Sequence, residues 1–417
     1  MLELEQKLAE ALKRIEELER ENKLLKEKFK EKNKPSFIKE DVRVYHHKSG
    51  QKEGHEGISR EIPEKIDEVK KIDIKKCPDC TGKLSKIQEK RERVITDTEI
   101  KTTTIKYLIL RRYCKKCKKI VEPEIKDALP NSRFSLRIML LILILKLDCR
   151  IPSNKITSIL SSVFGIKISD GEIYNILRQL SESFGNYYYE LEKRIKLALT
   201  KNIDETSWRI NGKNNWLWIF INKEVALYVV NRKRSSKIPI KILGNQEGKT
   251  AITDRHSAYN QLVEETGIAQ QICWAHLIRN SKDLAEHYKE ARYIHKRLKF
   301  IYKKAKEGIA KEKLVYWIEL IASREYRSNE VFKFVKSICR NHKEDLFRFV
   351  DNPEIDSTNN RAERGLRHAV VIRKISGGSR SENGAVITSR LLSVLQTAKL
   401  QNNNYVGFMQ DLLHKGK

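Results

Sequence analysis

The chain has 417 residues, too many for one ordinary core, so several structural units are expected. Lys and Arg number 84 against 55 Asp and Glu, a formal net charge of +29 that makes a polyanion the natural partner, since each cation meeting a phosphate releases a condensed counterion. The longest apolar run, Ile138 to Leu145, is far short of the roughly 18 residues a bilayer span needs. The charged N-terminus offers no signal-peptide apolar region, so a cytoplasmic, DNA-associated protein is expected, with its seven cysteines reduced or metal-bound.

In chain order, residues 1–34 come first. Leu4, Leu8, Ala11, Ile15, Leu18, Asn22, Leu25 and Phe29 keep the four–three spacing of a coiled-coil seam. Asn22 in an a position favours a two-stranded, in-register homodimer, and a single amphipathic helix is the alternative. Residues 35–70 read as a polar, basic linker with Gly50, Gly54 and Gly57. In the module at 71–128, Cys77-Pro-Asp-Cys80 and Cys114-Lys-Lys-Cys117 read as a structural Zn²⁺ site of four thiolates, in preference to disulfides or redox pairs. Val, Ile, Thr and Tyr from Arg93 to Leu110 predict a β-hairpin between the knuckles.

Residues 129–198 turn helical. An apolar helix near 134–147, a helix Ser153–Phe164, a turn at Gly165 and a helix opened by Ser169 and Asp170 suit either a helix-turn-helix DNA-binding domain or a small bundle. From 199 to 274 the pattern predicts strands Asn202–Ile210, Asn215–Ile221 and Val225–Val230 in an antiparallel meander. A helix Ser236–Leu243, a strand Thr250–Thr253, a helix Ser257–Glu265 and a strand Gln270–Trp274 follow. Residues 275–350 form a basic helical insertion with 19 Lys and Arg against 10 Asp and Glu, and 351–417 hold a final helix starting near Ser357. The whole is a multidomain α+β chain whose β-β-β-α-β-α-β-α order is that of a ribonuclease-H-like α/β domain.

Three acids stand out. Asp204 interrupts an apolar strand, where an unpaired charge is costly. Asp254 closes a neighbouring strand, although it can equally cap the following helix. Glu363 shares a helix face with Asn359 and Arg367, and an i,i+4 pair with Arg367 is its plain alternative. Together they suit phosphoryl transfer, which needs two Mg²⁺ (or Mn²⁺) ions on carboxylate oxygens more than covalent help. In that scheme Asp204 bridges both ions, while Asp254 and Glu363 each hold one. Glu205, Asp351 and Asp356 are the nearest competitors.

At these residues the chain resembles the insertion sequence 66 family of bacterial and archaeal transposases, of the Asp-Asp-Glu group. The likeness lies in Asp204-Glu-Thr-Ser-Trp-Arg-Ile-Asn-Gly-Lys-Asn-Asn-Trp-Leu-Trp218, Thr253-Asp-Arg-His-Ser-Ala-Tyr259, Cys273-Trp-Ala-His-Leu-Ile-Arg279 and Asn359-Asn-Arg-Ala-Glu-Arg-Gly-Leu-Arg367. Upstream, Gly50-Gln-Lys-Glu-Gly-His-Glu-Gly57 matches a Gly-rich family segment, with Glu53 where a proline is usual. Arg255-His256 after the second acid replaces the small residues of many relatives. The resemblance implies binding to terminal inverted repeats, strand cleavage and joining of 3′ ends to target DNA. A non-catalytic DNA-binding derivative and a nuclease that only hydrolyses are the rival readings.

Other residues have plainer roles. Cys273 and His276 lack a partner pair and read as a core thiol and a His beside a DNA channel, rather than ligands. Trp208, Trp216 and Trp218 fill a sheet face. Arg361, Arg364, Arg367, Arg373, Lys374 and Arg380 cluster around Glu363 and read as phosphate contacts flanking the cut, or else as a solvated helix face.

Overall fold

The computed structural model describes Leu18, Glu19, Glu21, Asn22 and residues 64–415, apart from Glu99, Ser257 and His342. The four described heptad residues are helical; the rest of the expected coiled coil and most of the linker lie outside the described residues. The chain divides into two compact units, Met1–Asp97 and Thr98–Lys417.

In the first unit the chain turns tightly around Cys77. Its N–H donates to Gly82 O at 2.9 Å and its carbonyl accepts from Thr81 N at 2.9 Å, with Thr81 left-handed at φ 58. An antiparallel bridge between Lys76 and Lys83 closes this knuckle.

The β-hairpin expected from Arg93 to Leu110 is not formed among the described residues. Among the described residues from 93 to 110 none lies in a strand. Strand-forming composition alone does not make a strand, and here Leu108 and Leu110 stay 78% and 72% exposed. The pairing falls later, where β1 (Arg112–Cys114) meets β2 (Lys119–Val121) antiparallel across the second Cys-x-x-Cys turn.

Four helices follow. α1 (Leu136–Leu143) is capped by Ser135, whose hydroxyl accepts from Ile138 N, and widens into a π turn over Ile144–Asp148. α2 (Ser153–Phe164) stops at Gly165, which takes the left-handed φ of 66 that favours glycine. α3 (Asp170–Ser183) is capped by Ser169 through Glu172 N, as its sequence predicts, and α4 (Gly185–Leu197) leads into the sheet.

That sheet is mixed, with five strands in the order β5-β4-β3-β6-β7. β3 (Thr200–Ile210), β4 (Lys213–Ile221) and β5 (Ala226–Asn231) make the expected meander, turning between β3 and β4 at Asn211 and Gly212 with φ 48 and 73. β6 (Thr250–Thr253) runs parallel to β3, and β7 (Ala269–Ile272) parallel to β6. The crossovers pass through α5 (Lys237–Leu243) and α6 (Ala258–Thr266).

Alternation along the strands gives the sheet two buried faces. Ile203, Trp218, Phe220 and Leu227 pack with Leu243, Tyr259 and Leu262 of α5 and α6. Leu217, Ile219, Ile221 and Tyr228 pack with Leu366 and Leu391, from α11 (Asn360–Ser376) and α12 (Glu382–Gln401). Gly365 lets α11 lie close: a Cβ there would collide with Ile219 Cδ1, and Tyr228 Oη donates to Gly365 O at 2.8 Å. Trp208 and Trp218 are buried as expected, whereas Trp216 is half-buried beneath the Arg234 guanidinium, 4.9 Å away.

Two further boundaries differ from expectation. The last strand ends at Ile272, because Trp274 opens α7 (Trp274–His287) and its ring stacks on Tyr302 at 5.1 Å while its N–H donates to Leu346 O at 2.6 Å. It thereby belongs to the core of the insertion, shared with α8 (Ala291–Lys306), α9 (Lys311–Ala322) and α10 (Asn329–Asn341). Where one final helix was expected there are three: α11, starting at Asn360 rather than near Ser357, then α12 and α13 (Tyr405–Lys415). No helix among the described residues is long and apolar enough to cross a membrane.

Candidate active site

Parallel pairing brings two of the three acids together. Thr200, Lys201 and Asn202 of β3 lie opposite Thr250, Ala251 and Ile252 of β6; Asp204 follows two residues on in β3, Asp254 directly after β6, and the two carboxylates are near enough for their charges to interact. The third arrives from the start of α11, which is tied to this sheet edge. Asn359 Nδ2 donates to Ile203 O at 2.9 Å, Asn202 Nδ2 to Thr358 O at 3.4 Å, and Trp274 N to Ser357 O at 3.1 Å. Glu363 follows in the first turn, its N–H bonded to Asn359 O at 3.1 Å.

Electrostatics register the convergence. Burial pushes the Asp204 carboxyl up to about 7, and the charges of Glu205, Asp254 and Glu363 push the same way, outweighing the Glu205 N–H that Asp204 accepts at 2.9 Å. Glu363 meets His276 rather than Arg367: His276 Nδ1 lies 3.4 Å from Glu363 Oε1. Asp254 Oδ1 accepts from His256 N at 3.0 Å, while the first residue of α6, Ala258, donates its N–H to His256 Nδ1 at 3.2 Å. Arg255 turns into the insertion, donating to Ser337 Oγ at 2.9 Å and lying over the Phe334 ring.

Each competing acid already has a cation. Glu205, 2% exposed, sits 2.6 Å from Arg234 and accepts from Tyr259 Oη at 2.6 Å. Asp356 takes Arg361 at 2.9 and 3.3 Å, and Asp351 takes Lys311 at 2.8 Å. The basic cluster therefore splits. Arg361 is engaged by Asp356, and Arg373 bonds Thr206 at 3.3 Å and Ser207 on β3. Arg364, Arg367, Lys374 and Arg380 are exposed.

Among the described residues one further group converges here. Cys273, His276 and Glu363 place a sulfur, a ring nitrogen and a carboxylate oxygen all within 4.8 Å of one another. Cys273 is buried, as its sequence context suggests, but the partnership with Glu363 was not legible: the Cys-x-x-His spacing was the signal, and its third member stands 87 residues after His276. Of the other cysteines, Cys77 and Cys80 belong to the first unit, Cys114 and Cys117 to the second. Backbone N–H groups of the following turn, from Cys80 and from Cys117, hold the Cys77 and Cys114 thiols below their ordinary pKa.

Residues 131–387 match the family described as Transposase IS66 family. The chain belongs to this family. The match runs from before α1 into α12 and so takes in Asp204, Asp254 and Glu363 together with the helical insertion. No curated protein matches the chain. Membership makes DNA the partner and divalent metal use the general expectation, in keeping with the +29 formal charge.

Proposed function

We propose that the chain is a transposase that binds the terminal repeats of a mobile element, cleaves strands there and joins the 3′ ends to target DNA, with Asp204, Asp254 and Glu363 as the catalytic acids. The observation that carries this reading is the gathering of three carboxylates from β3, the end of β6 and α11 at one sheet edge, while Glu205, Asp351 and Asp356 each have a cation of their own. An acid pushed up to about 7 by burial and by like charges lacks a counter-ion, and hard divalent cations fit such an all-oxygen set.

Asp204, Asp254 and Glu363 would hold two Mg²⁺ or Mn²⁺ ions. Such ions supply charge neutralisation at the reacting phosphorus and lower the pKa of an attacking water or 3′-hydroxyl. The remaining work belongs to the chain. Asn359 and Asn202 fix the first turn of α11 against β3, which holds Glu363 at the sheet edge. Arg364, Arg367, Lys374 and Arg380 are free to meet phosphates flanking the cut; Arg361 and Arg373 serve instead to position Asp356 and, on β3, the Thr206 hydroxyl and Ser207. A three-stranded meander followed by two parallel strands, with helices on both faces, supports a ribonuclease-H-like core. α2 and α3 about Gly165 suit a helix-turn-helix DNA reader, each Cys-x-x-Cys knuckle a pair of ligands for structural Zn²⁺, and the Asn22 heptads a homodimer.

The test is Asp204→Asn in the full chain. Mg²⁺-dependent cleavage of DNA should be lost while DNA affinity is kept or improved, because a negative charge is removed. Cleavage at the wild-type rate would end the assignment. A strand-transfer assay separates the nuclease reading: labelled 3′ ends should become covalently joined to a second DNA.

A further inference from the structure

We infer that Cys273, His276 and Glu363 form a site for one borderline-soft divalent ion of the Zn²⁺ class, which shares Glu363 with the all-oxygen site and is separate from the knuckles. Cys273 and His276 stand at the cap and first turn of α7, where i,i+3 spacing puts thiol and imidazole on one side of the helix. Cys273 is anchored by its own N–H on Thr253 O, at 2.9 Å, directly beside Asp254. Glu363 comes from α11, so the site joins the insertion to the sheet edge.

Three observations carry the inference. The ligand atoms lie within 4.8 Å of one another, and tetrahedral Zn²⁺ with ordinary bond lengths holds such atoms roughly 3.5 Å apart, within reach of small side-chain rotations. His276 Nδ1 and Glu363 Oε1 are both buried, face each other at 3.4 Å and have no hydrogen bond. Two polar atoms in that condition want a partner between them. Finally, Cys273 Sγ accepts the N–H of Asn359 at 3.1 Å, the outer support that a metal-bound thiolate uses.

The chemistry separates this site from its neighbour. A thiolate and an imidazole select zinc-class ions over Mg²⁺ or Ca²⁺, which prefer oxygen. On binding, Cys273 loses its proton to solvent and the ion takes sulfur, nitrogen and one Glu363 oxygen. The second oxygen of that carboxylate stays available, so the ion acts as a buttress that orients Glu363. Only this last role rests on the proposed cleavage reaction; the binding does not.

Metal counting on the full chain tests it. Zinc retained per chain after equilibrium dialysis should fall by about one ion in Cys273→Ser and in His276→Ala. It should not fall at this site in Cys77→Ser/Cys80→Ser, which removes only knuckle ligands, or in Asp204→Asn. As a second readout, Co²⁺ added to a chain with all four knuckle cysteines changed to Ser should give a thiolate-to-cobalt absorption band that Cys273→Ser abolishes. Unchanged zinc content in Cys273→Ser and His276→Ala, or no thiolate band with Co²⁺, would mean a His276–Glu363 contact only and overturn the inference. Since Asp204→Asn removes cleavage but keeps this ion, failure of the metal site and failure of the proposed reaction give different results.

Discussion

Asp204 and Glu205 are adjacent in one strand, both half-buried, yet they meet opposite surroundings. On the face packed by α5 and α6, Glu205 accepts from Tyr259 and lies against Arg234 at 2.6 Å; its charge is settled within the fold. On the face packed by α11, Asp204 meets other carboxylates and only one N–H, from its own neighbour, and its pKa rises to about 7. Charge burial alone thus marks nothing. A buried acid whose partners are also acids marks a place that a cation from outside must complete.

The largest expected effect breaks the pair apart by activity. Asp204→Asn should reduce strand cleavage by roughly 10²–10³-fold or more, while the thermal stability of the metal-free chain at neutral pH rises, because burial and neighbouring carboxylates disfavour the ionised acid. Glu205→Gln should behave in reverse. It removes the charge paired with Arg234 and turns one of the two oxygens that accept from Arg234 and Tyr259 into an NH2 donor, costing about 2 kcal/mol of stability, discounted because Arg234 is a third exposed, while the folded fraction still cleaves. Denaturant titration and a cleavage assay on both variants decide it; equal losses of activity would erase the distinction.

A pH series sharpens the same contrast. The folded pKa of Asp204 lies above its ordinary value of 3.8, so between about pH 4 and 7 the fold binds a proton that the unfolded chain has released. Stability of the metal-free chain should therefore fall across that window and level off above it, and Asp204→Asn should remove that part of the fall. Divalent cations need the ionised carboxylate, so their thermal stabilisation of the chain should grow as pH rises through about 7. A melting series with and without Mg²⁺ checks both signs.

How much could be read from the sequence follows the same physical line. Elements specified locally were legible: the Asn211-Gly212 turn, the Ser169 cap, the Gly165 stop and the alternation of β3 and β4 all act within a few residues. The Arg93–Leu110 hairpin was not, because strand propensity alone does not make a strand. Trp274 was placed in a strand because an apolar residue at a strand end and one buried by a distant helix look alike until Tyr302 and Leu346 are near. At the site, the motifs singled out Asp204, Asp254 and Glu363, but side-chain pairing over long separations was invisible. The Ser207 contact that engages Arg373 belongs to that class, as does the Cys273–His276–Glu363 cluster.

The smallest expected effect concerns how closely the third acid is held. Gly365 sits two residues beyond Glu363, where α11 lies close against the sheet; its missing side chain leaves room for Ile219 Cδ1, and its carbonyl accepts from Tyr228 Oη. In Gly365→Ala the new methyl meets Ile219 Cδ1, the end of a buried side chain with little room to turn, so α11 must lift. Helix propensity favours the alanine by up to about 1 kcal/mol, whereas overpacking of a filled core costs about 1–3 kcal/mol. The balance is a modest net loss of stability. Activity should fall by more than that loss explains, since lifting the helix carries Glu363 away from Asp204 and Asp254, and a misplacement of about 1 Å is enough to slow such chemistry by roughly 10²-fold. Gly365→Ala with wild-type cleavage per folded molecule would show that the separation of α11 from the sheet does not set the position of Glu363.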